Sequence, residues 1–133
     1  MLVQTYSPQS YHVADINMNT LNNGIRINNR FAVKSHSTSS IFNKEDILYI
    51  SADSNYSTII LKNGSKVFTS KTLKYWEIKF KDIQLLRVHK SYLVNTLYIQ
   101  NIHHVISKIE LNTGIFIPVS RSLKKVVFGL FCL

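Results

Sequence analysis

From Phe31 onward the chain returns again and again to short runs rich in β-branched and aromatic residues, broken by turn formers, and this pattern specifies small antiparallel sheets rather than a helical bundle. The runs are FAVKSH at 31–36, ILYIS at 47–51, YSTIILK at 56–62, KVFTS at 66–70, LLRVH at 85–89, SYLVN at 91–95, LYIQNIHHVI at 97–106, KIELN at 108–112 and IFIPVS at 115–120. Between the third and fourth, Asn63-Gly64 signals a tight hairpin, because both residues tolerate positive φ. A second reversal falls at Asn112-Thr113-Gly114. Pro118 has no amide hydrogen, so its strand is expected at a sheet edge.

Two segments break the β pattern. Leu73, Trp76 and Phe80 recur at helical spacing, which predicts a short helix near 71–80 with Thr69 and Ser70 offering an N-cap. From Arg121 to about Phe128 or beyond, a C-terminal helix capped by Ser120 is expected, with Leu123, Val127 and Leu130 on one side and Arg121, Lys124 and Lys125 on the other. Val126, Val127 and Gly129 weaken it. Residues 1–24, with Pro8 and several Asn, read as a flexible N-terminal arm, and 25–133 as a single domain. Hydrophobic residues at 45% supply a core of the size such a domain needs.

The composition narrows function mainly by exclusion. Cys132 is the only cysteine, so neither an internal disulfide nor a thiolate metal cluster forms, and a reducing, cytoplasmic setting fits. No apolar run reaches the roughly 20 residues a membrane helix needs. His103 and His104 are adjacent in an expected strand and point to opposite faces, which rules out a shared metal. No glycine-rich phosphate loop and no catalytic constellation assembles, so no enzyme, cofactor or small-molecule substrate is expected. Sixteen Lys and Arg against seven Asp and Glu give a net charge of +9. That favours a polyanionic partner, nucleic acid ahead of an anionic membrane.

Residues 85–95, LLRVHKSYLVN, place Leu86, Val88, Tyr92 and Val94 on one strand face and interrupt them with Arg87, His89, Lys90 and Ser91, the donor types that contact phosphates and base edges. The stretch Arg87-Val88-His89-Lys90-Ser91-Tyr92-Leu93-Val94-Asn95 resembles the signature of the LytTR family of bacterial DNA-binding domains. Asp46 to Ile50 upstream, Thr72-Leu73-Lys74 between, and Pro118-Val119-Ser120-Arg121 downstream agree in order, over residues 41 to about 128. The resemblance implies a mainly β fold of the ten-strand LytTR type whose loops, rather than a recognition helix, enter successive major grooves of double-stranded DNA. Carried over by position, the implied contacts are Asn55, Tyr56, His89, Lys90, Ser91, Ser120 and Arg121. Family members commonly carry a receiver domain or membrane segments upstream, and the 40 residues before the match are expected to hold neither.

Side-chain chemistry divides the roles. Arg121 has the planar fork that grips guanine O6 and N7 and is the expected base reader. Lys90 is a second candidate for a base edge, while His89 and Ser91 suit phosphate oxygens. Lys71, Lys124 and Lys125 are added as phosphate contacts from charge and placement. Arg87 suits either a phosphate or a structural role, pairing with a carboxylate such as Asp82 or capping a loop. Asn95 is expected to tie a turn rather than touch DNA, Trp76 to be core, and Lys79 and Lys81 to form a solvated helix face. The expected function is sequence-specific duplex binding by a transcriptional regulator, as a homodimer or as tandem copies on direct repeats. The alternative is a protein-interaction module that keeps the fold without DNA binding or pairs with full-length regulators, using the apolar stretch from Val126 to Leu133.

Overall fold

The computed structural model describes residues 29–131, so the expected arm over 1–24 lies outside the described residues. The described residues divide into two units, one ending at Asn43 and the other beginning at Lys44. In the first, β1 (Arg30–Lys34) and β2 (Ser39–Asn43) form an antiparallel hairpin closed by Ser35 N–H to the Thr38 carbonyl at 2.8 Å. Phe31 and Phe42 pair across it with ring centroids 5.4 Å apart. The sequence reading found β1 but not β2, whose Ser-Ser start gives a weak strand signal.

The second unit holds β3 (Ile47–Asp53), β4 (Tyr56–Leu61), β5 (Lys66–Thr69), α1 (Leu73–Lys79), β6 (Leu85–His89), β7 (Tyr92–Asn95), β8 (Ile99–His103), β9 (Lys108–Leu111), β10 (Phe116–Pro118) and α2 (Lys124–Phe131). Its strands form a five-stranded sheet of order β5-β4-β3-β7-β6 and a three-stranded sheet of order β10-β9-β8. Pro118 therefore lies on an edge strand, as its missing donor requires. The β4–β5 and β9–β10 reversals share one design: Gly64 and Gly114 take φ of +92° and +88° and donate to Leu61 and Leu111 at 2.8 Å. Asn63 needs no positive φ here. Its side-chain oxygen accepts from Ser65 N–H at 2.9 Å and braces the turn instead.

Both faces of the large sheet are used. On one, α1 buries Leu73 and Trp76, followed by Phe80, and the Trp76 indole N–H is shared between the Ser57 and Thr69 hydroxyls, each at 3.0 Å. On the other, Leu48, Ile60, Val88 and Val94 pack with Ile109, Leu111 and Ile117 of the small sheet and with Val127 and Phe128 of α2. Ile109 is fully buried there, so Ile109→Ala is expected to cost about 2–5 kcal/mol.

The helix starts differ from expectation. Thr72 caps α1 by accepting from Tyr75 N–H at 3.1 Å. Thr69 cannot, because its hydroxyl is committed to Ser57 at 2.8 Å and to Lys71 N–H at 3.2 Å. The terminal helix begins at Lys124, since Ser120 still donates its N–H in strand fashion to the Val88 carbonyl at 2.9 Å. Its buried face is Val127 and Phe128, leaving Leu130 60% exposed, although Leu130 shares helical spacing with Val127.

Candidate nucleic-acid interface

The segment 87–91 is built around Arg87, which lies on the α1 side of the sheet because it pairs in register with buried Leu93. Its guanidinium makes three hydrogen bonds, all at 2.9 Å: Nε to the His89 carbonyl, Nη2 to the Lys90 carbonyl and Nη1 to Glu77 Oε1 on α1. Arg87 is thus a clamp on the β6–β7 turn. Its carboxylate partner is Glu77, whereas Asp82 pairs with Lys44. With the carbonyls of 89 and 90 turned toward Arg87, the Lys90 side chain stands exposed at the tip. His89 Nδ1 accepts from Ser91 N–H at 3.1 Å, so the neutral ring carries its proton on Nε2 and keeps that donor for a ligand. The ring also packs edge-on to Tyr92 with centroids 5.6 Å apart.

Two further segments are fastened beside this turn. Ala52 N–H donates to the Ser91 carbonyl at 2.9 Å, which holds the end of β3, and with it the Ser54-Asn55 turn, against one side. Ser54 occupies positive φ, +58°, and Asn55 and Tyr56 follow it, exposed. On the other side Ser120 N–H reaches the Val88 carbonyl, which sets Arg121 next to the open edge of β6. The structure therefore brings Asn55, Tyr56, His89, Lys90, Ser91, Ser120 and Arg121 to one end of the large sheet.

The LytTr DNA-binding domain family matches residues 37–131. The chain belongs to this family. Comparison with curated proteins gives no match. Among solved structures, the LytTR fold of this chain is similar to the LytTr DNA-binding domain of a methyl-accepting/DNA response regulator from Bacillus cereus, with a TM-score of 0.67 at 19% identity. The likeness covers 79% of this chain and 98% of that one. The mainly β fold with its small antiparallel sheets is the LytTR fold that the sequence led us to expect.

Within this LytTR domain the added lysines divide into two places. Lys71 sits beside the start of β4, its carbonyl accepting from Ser57 Oγ at 2.7 Å and its ammonium 5.0 Å from the Tyr75 ring centroid. Lys124 and Lys125 flank a shallow depression with Arg121, His104, Phe128 and Gly129, and Lys124 rests over the Phe128 ring at 5.9 Å. Among the described residues, the ion pairs join Lys44 to Asp82, Lys62 to Asp46 and Arg87 to Glu77, and His103 is hydrogen-bonded to Glu110. None of them engages Lys71, Lys90, Arg121, Lys124 or Lys125, so these charges are not neutralised from within.

Away from this end, hydrogen bonds from His103 and then Asn101 hold the Glu110 carboxyl below its ordinary range. Burial, reinforced by nearby Tyr92, pushes the Tyr49 phenol upward. No group of His, Cys, Asp and Glu among the described residues is arranged to hold a metal. The sequence reading missed Glu77 as the anchor of the signature turn. The available signal was its place next to Trp76 on a helix that covers the sheet face bearing Arg87.

Proposed function

We propose that this LytTR domain binds double-stranded DNA sequence-specifically as a transcriptional regulator, presenting its loops to successive major grooves. What carries the reading is the lateral fastening of the Asn55, Lys90 and Arg121 segments by the Ala52–Ser91 and Ser120–Val88 hydrogen bonds. A ligand then meets preset donors without paying to order them. Arg121 reads a base edge, Lys90 reaches a second, and His89, Ser91, Ser120, Lys71, Lys124 and Lys125 hold phosphates. Asn55 and Tyr56 contact the adjoining groove. Paired direct half-sites about one helical turn apart suit two such modules on one face of the duplex. A cytoplasmic setting fits this role, and among the described residues no helix is long and apolar enough to cross a membrane.

The test is selection from a random duplex library followed by fluorescence anisotropy across a salt series. With about five to eight phosphate contacts, affinity should fall by orders of magnitude from low to physiological salt. Arg121→Ala should cost about 1–3 kcal/mol on the selected site and relax discrimination there, while Lys124→Ala weakens all sequences alike. Equal losses on selected and random DNA for Arg121→Ala would remove it as base reader.

A second reading draws on α2, where Val126 and Leu130 are 61% and 60% exposed and could seat a protein partner. Light scattering that found a stable, salt-insensitive dimer with no affinity for any duplex would favour it.

A further inference from the structure

The strand register lines up one rung across the large sheet: Phe68 opposite Thr58, Thr58 opposite Ser51, Ser51 opposite Tyr92, and Tyr92 opposite His89. Directly paired residues share a face, and this face is the one turned away from α1, since Ser57 and Thr69, which hold the Trp76 indole, alternate with Thr58 and Phe68. The rung is a continuation of the proposed DNA-binding end, because His89 belongs to the signature turn. Tyr56, two residues before Thr58, lies on the same face and diagonal to Phe68.

Its composition is unusual for a sheet surface. Phe68 is 74% exposed on an edge strand, Tyr56 is 61% exposed, and Thr58, Ser51, Tyr92 and His89 are all half-buried. Among the described residues, neither the Ser51 nor the Thr58 hydroxyl has a hydrogen-bond partner. Lys66, two residues before Phe68, adds an exposed cation on the same face. One carboxylate, Asp53, adjoins the rung at the β3–β4 turn.

We infer that this rung is a second contact stripe that seats the sugar-phosphate backbone of one DNA strand. The Phe68 ring lies against a deoxyribose, the Thr58 and Ser51 hydroxyls donate to phosphate oxygens, and Lys66 supplies the outermost charge. Donors of this type position a duplex without reading its sequence. Strand spacing makes the rung roughly 19 Å long from Phe68 to His89. Measured along the helix axis, that length spans about five to six nucleotides of one strand. An apolar ring flanked by hydroxyls and a lysine suits a backbone of alternating sugar and phosphate better than it suits the face of another protein.

The inference rests on the duplex-binding reading, and the experiment separates the two. Affinity of Phe68→Ser, Thr58→Val and Asp53→Asn is measured on the selected duplex and on random duplex, with circular dichroism confirming the fold. Phe68→Ser should weaken both duplexes by about tenfold with the salt slope unchanged, because it removes apolar contact and no charge. Thr58→Val, nearly isosteric, should weaken both by about three- to fivefold. Asp53→Asn should tighten both by removing the adjoining negative charge. If Phe68→Ser and Thr58→Val bind as the parent does while Arg121→Ala loses discrimination, the stripe is wrong and duplex recognition stands. If the parent itself binds no duplex, the reading beneath the stripe fails. A benzoylphenylalanine photo-crosslinker at position 68 should attach to the DNA. Attachment to a second copy of the chain, or tighter binding to single strands than to duplex, would overturn the stripe.

Discussion

The two turns that bracket the proposed interface are made in opposite ways. The β6–β7 turn is held from below by Arg87, whose guanidinium occupies the carbonyls of His89 and Lys90 and is itself anchored to Glu77. The β3–β4 turn has no such brace. Its shape depends on Ser54 accepting φ of +58°, a conformation that costs a side-chain-bearing residue free energy, and its tip residue Asn55 is exposed. The first turn is preorganised and its donors arrive already aimed. The second is fastened at its base by the Ala52–Ser91 hydrogen bond and carries no side-chain clamp at its tip.

The sharpest way to break this contrast is Arg87→Ala. It leaves two backbone carbonyls and a carboxylate without their donor, and should cost about 2 kcal/mol of stability and at least tenfold in DNA affinity. Chemical denaturation and anisotropy measure both. Arg87→Lys should fail to rescue, since an ammonium cannot span three acceptors in fixed fork geometry. Next in size, Glu77→Gln removes the charge but keeps an acceptor. Because both partners are about one-third exposed, stability should fall by only about 0.5–1 kcal/mol, less at high salt. Ser54→Gly has the opposite sign: it relieves the positive φ and should leave stability level or up by about 0.5 kcal/mol, while the looser turn binds DNA faster to release. A destabilised Ser54→Gly protein would show that the glycine's added freedom in the unfolded chain outweighs relief of the positive φ.

The smallest effect is a control on the other sheet. Glu110 titrates below its ordinary value because His103 and Asn101 hydrogen-bond its charged form. Its contribution to stability is therefore complete above the ordinary glutamate range and is lost as pH falls through the lowered value. Amide exchange should show the β8–β9 hairpin loosening in that acid window while the Ala52 amide, bonded to the Ser91 carbonyl, stays protected. Simultaneous loss at both places would mean that the two turns depend on the small sheet.

Much of the fold was legible because it is governed by local chemistry. Gly64 and Gly114 sit at positive φ where their turns demand it, and Leu73, Trp76 and Phe80 are buried together. Asn95 behaves as its side chain suggests, capping the 3-10 turn through Leu97 N–H at 3.0 Å. That its amide also donates to the Ile47 carbonyl at 2.8 Å was not legible, since that partner lies 48 residues away. The same reason hid Glu77 behind Arg87 and moved the α1 cap to Thr72. A hydroxyl's choice of partner depends on which strands arrive beside it. Leu130 was misplaced because spacing tells which residues share a helix side, not how wide the covered side is. Of the interface, the residue types were readable and their assembly was not. The bonds from Ala52 to Ser91 and from Ser120 to Val88 join segments far apart in the chain.

Trp76 is the chain's only tryptophan, and its indole N–H is gripped by the hydroxyls of Ser57 and Thr69, the former also bonded to the Lys71 carbonyl. An emitter wired in this way to the residue after Tyr56 and to the backbone of Lys71 turns the protein into its own optical gauge. A shift in its emission on mixing with duplex would report movement at the β4 start directly, with no label attached.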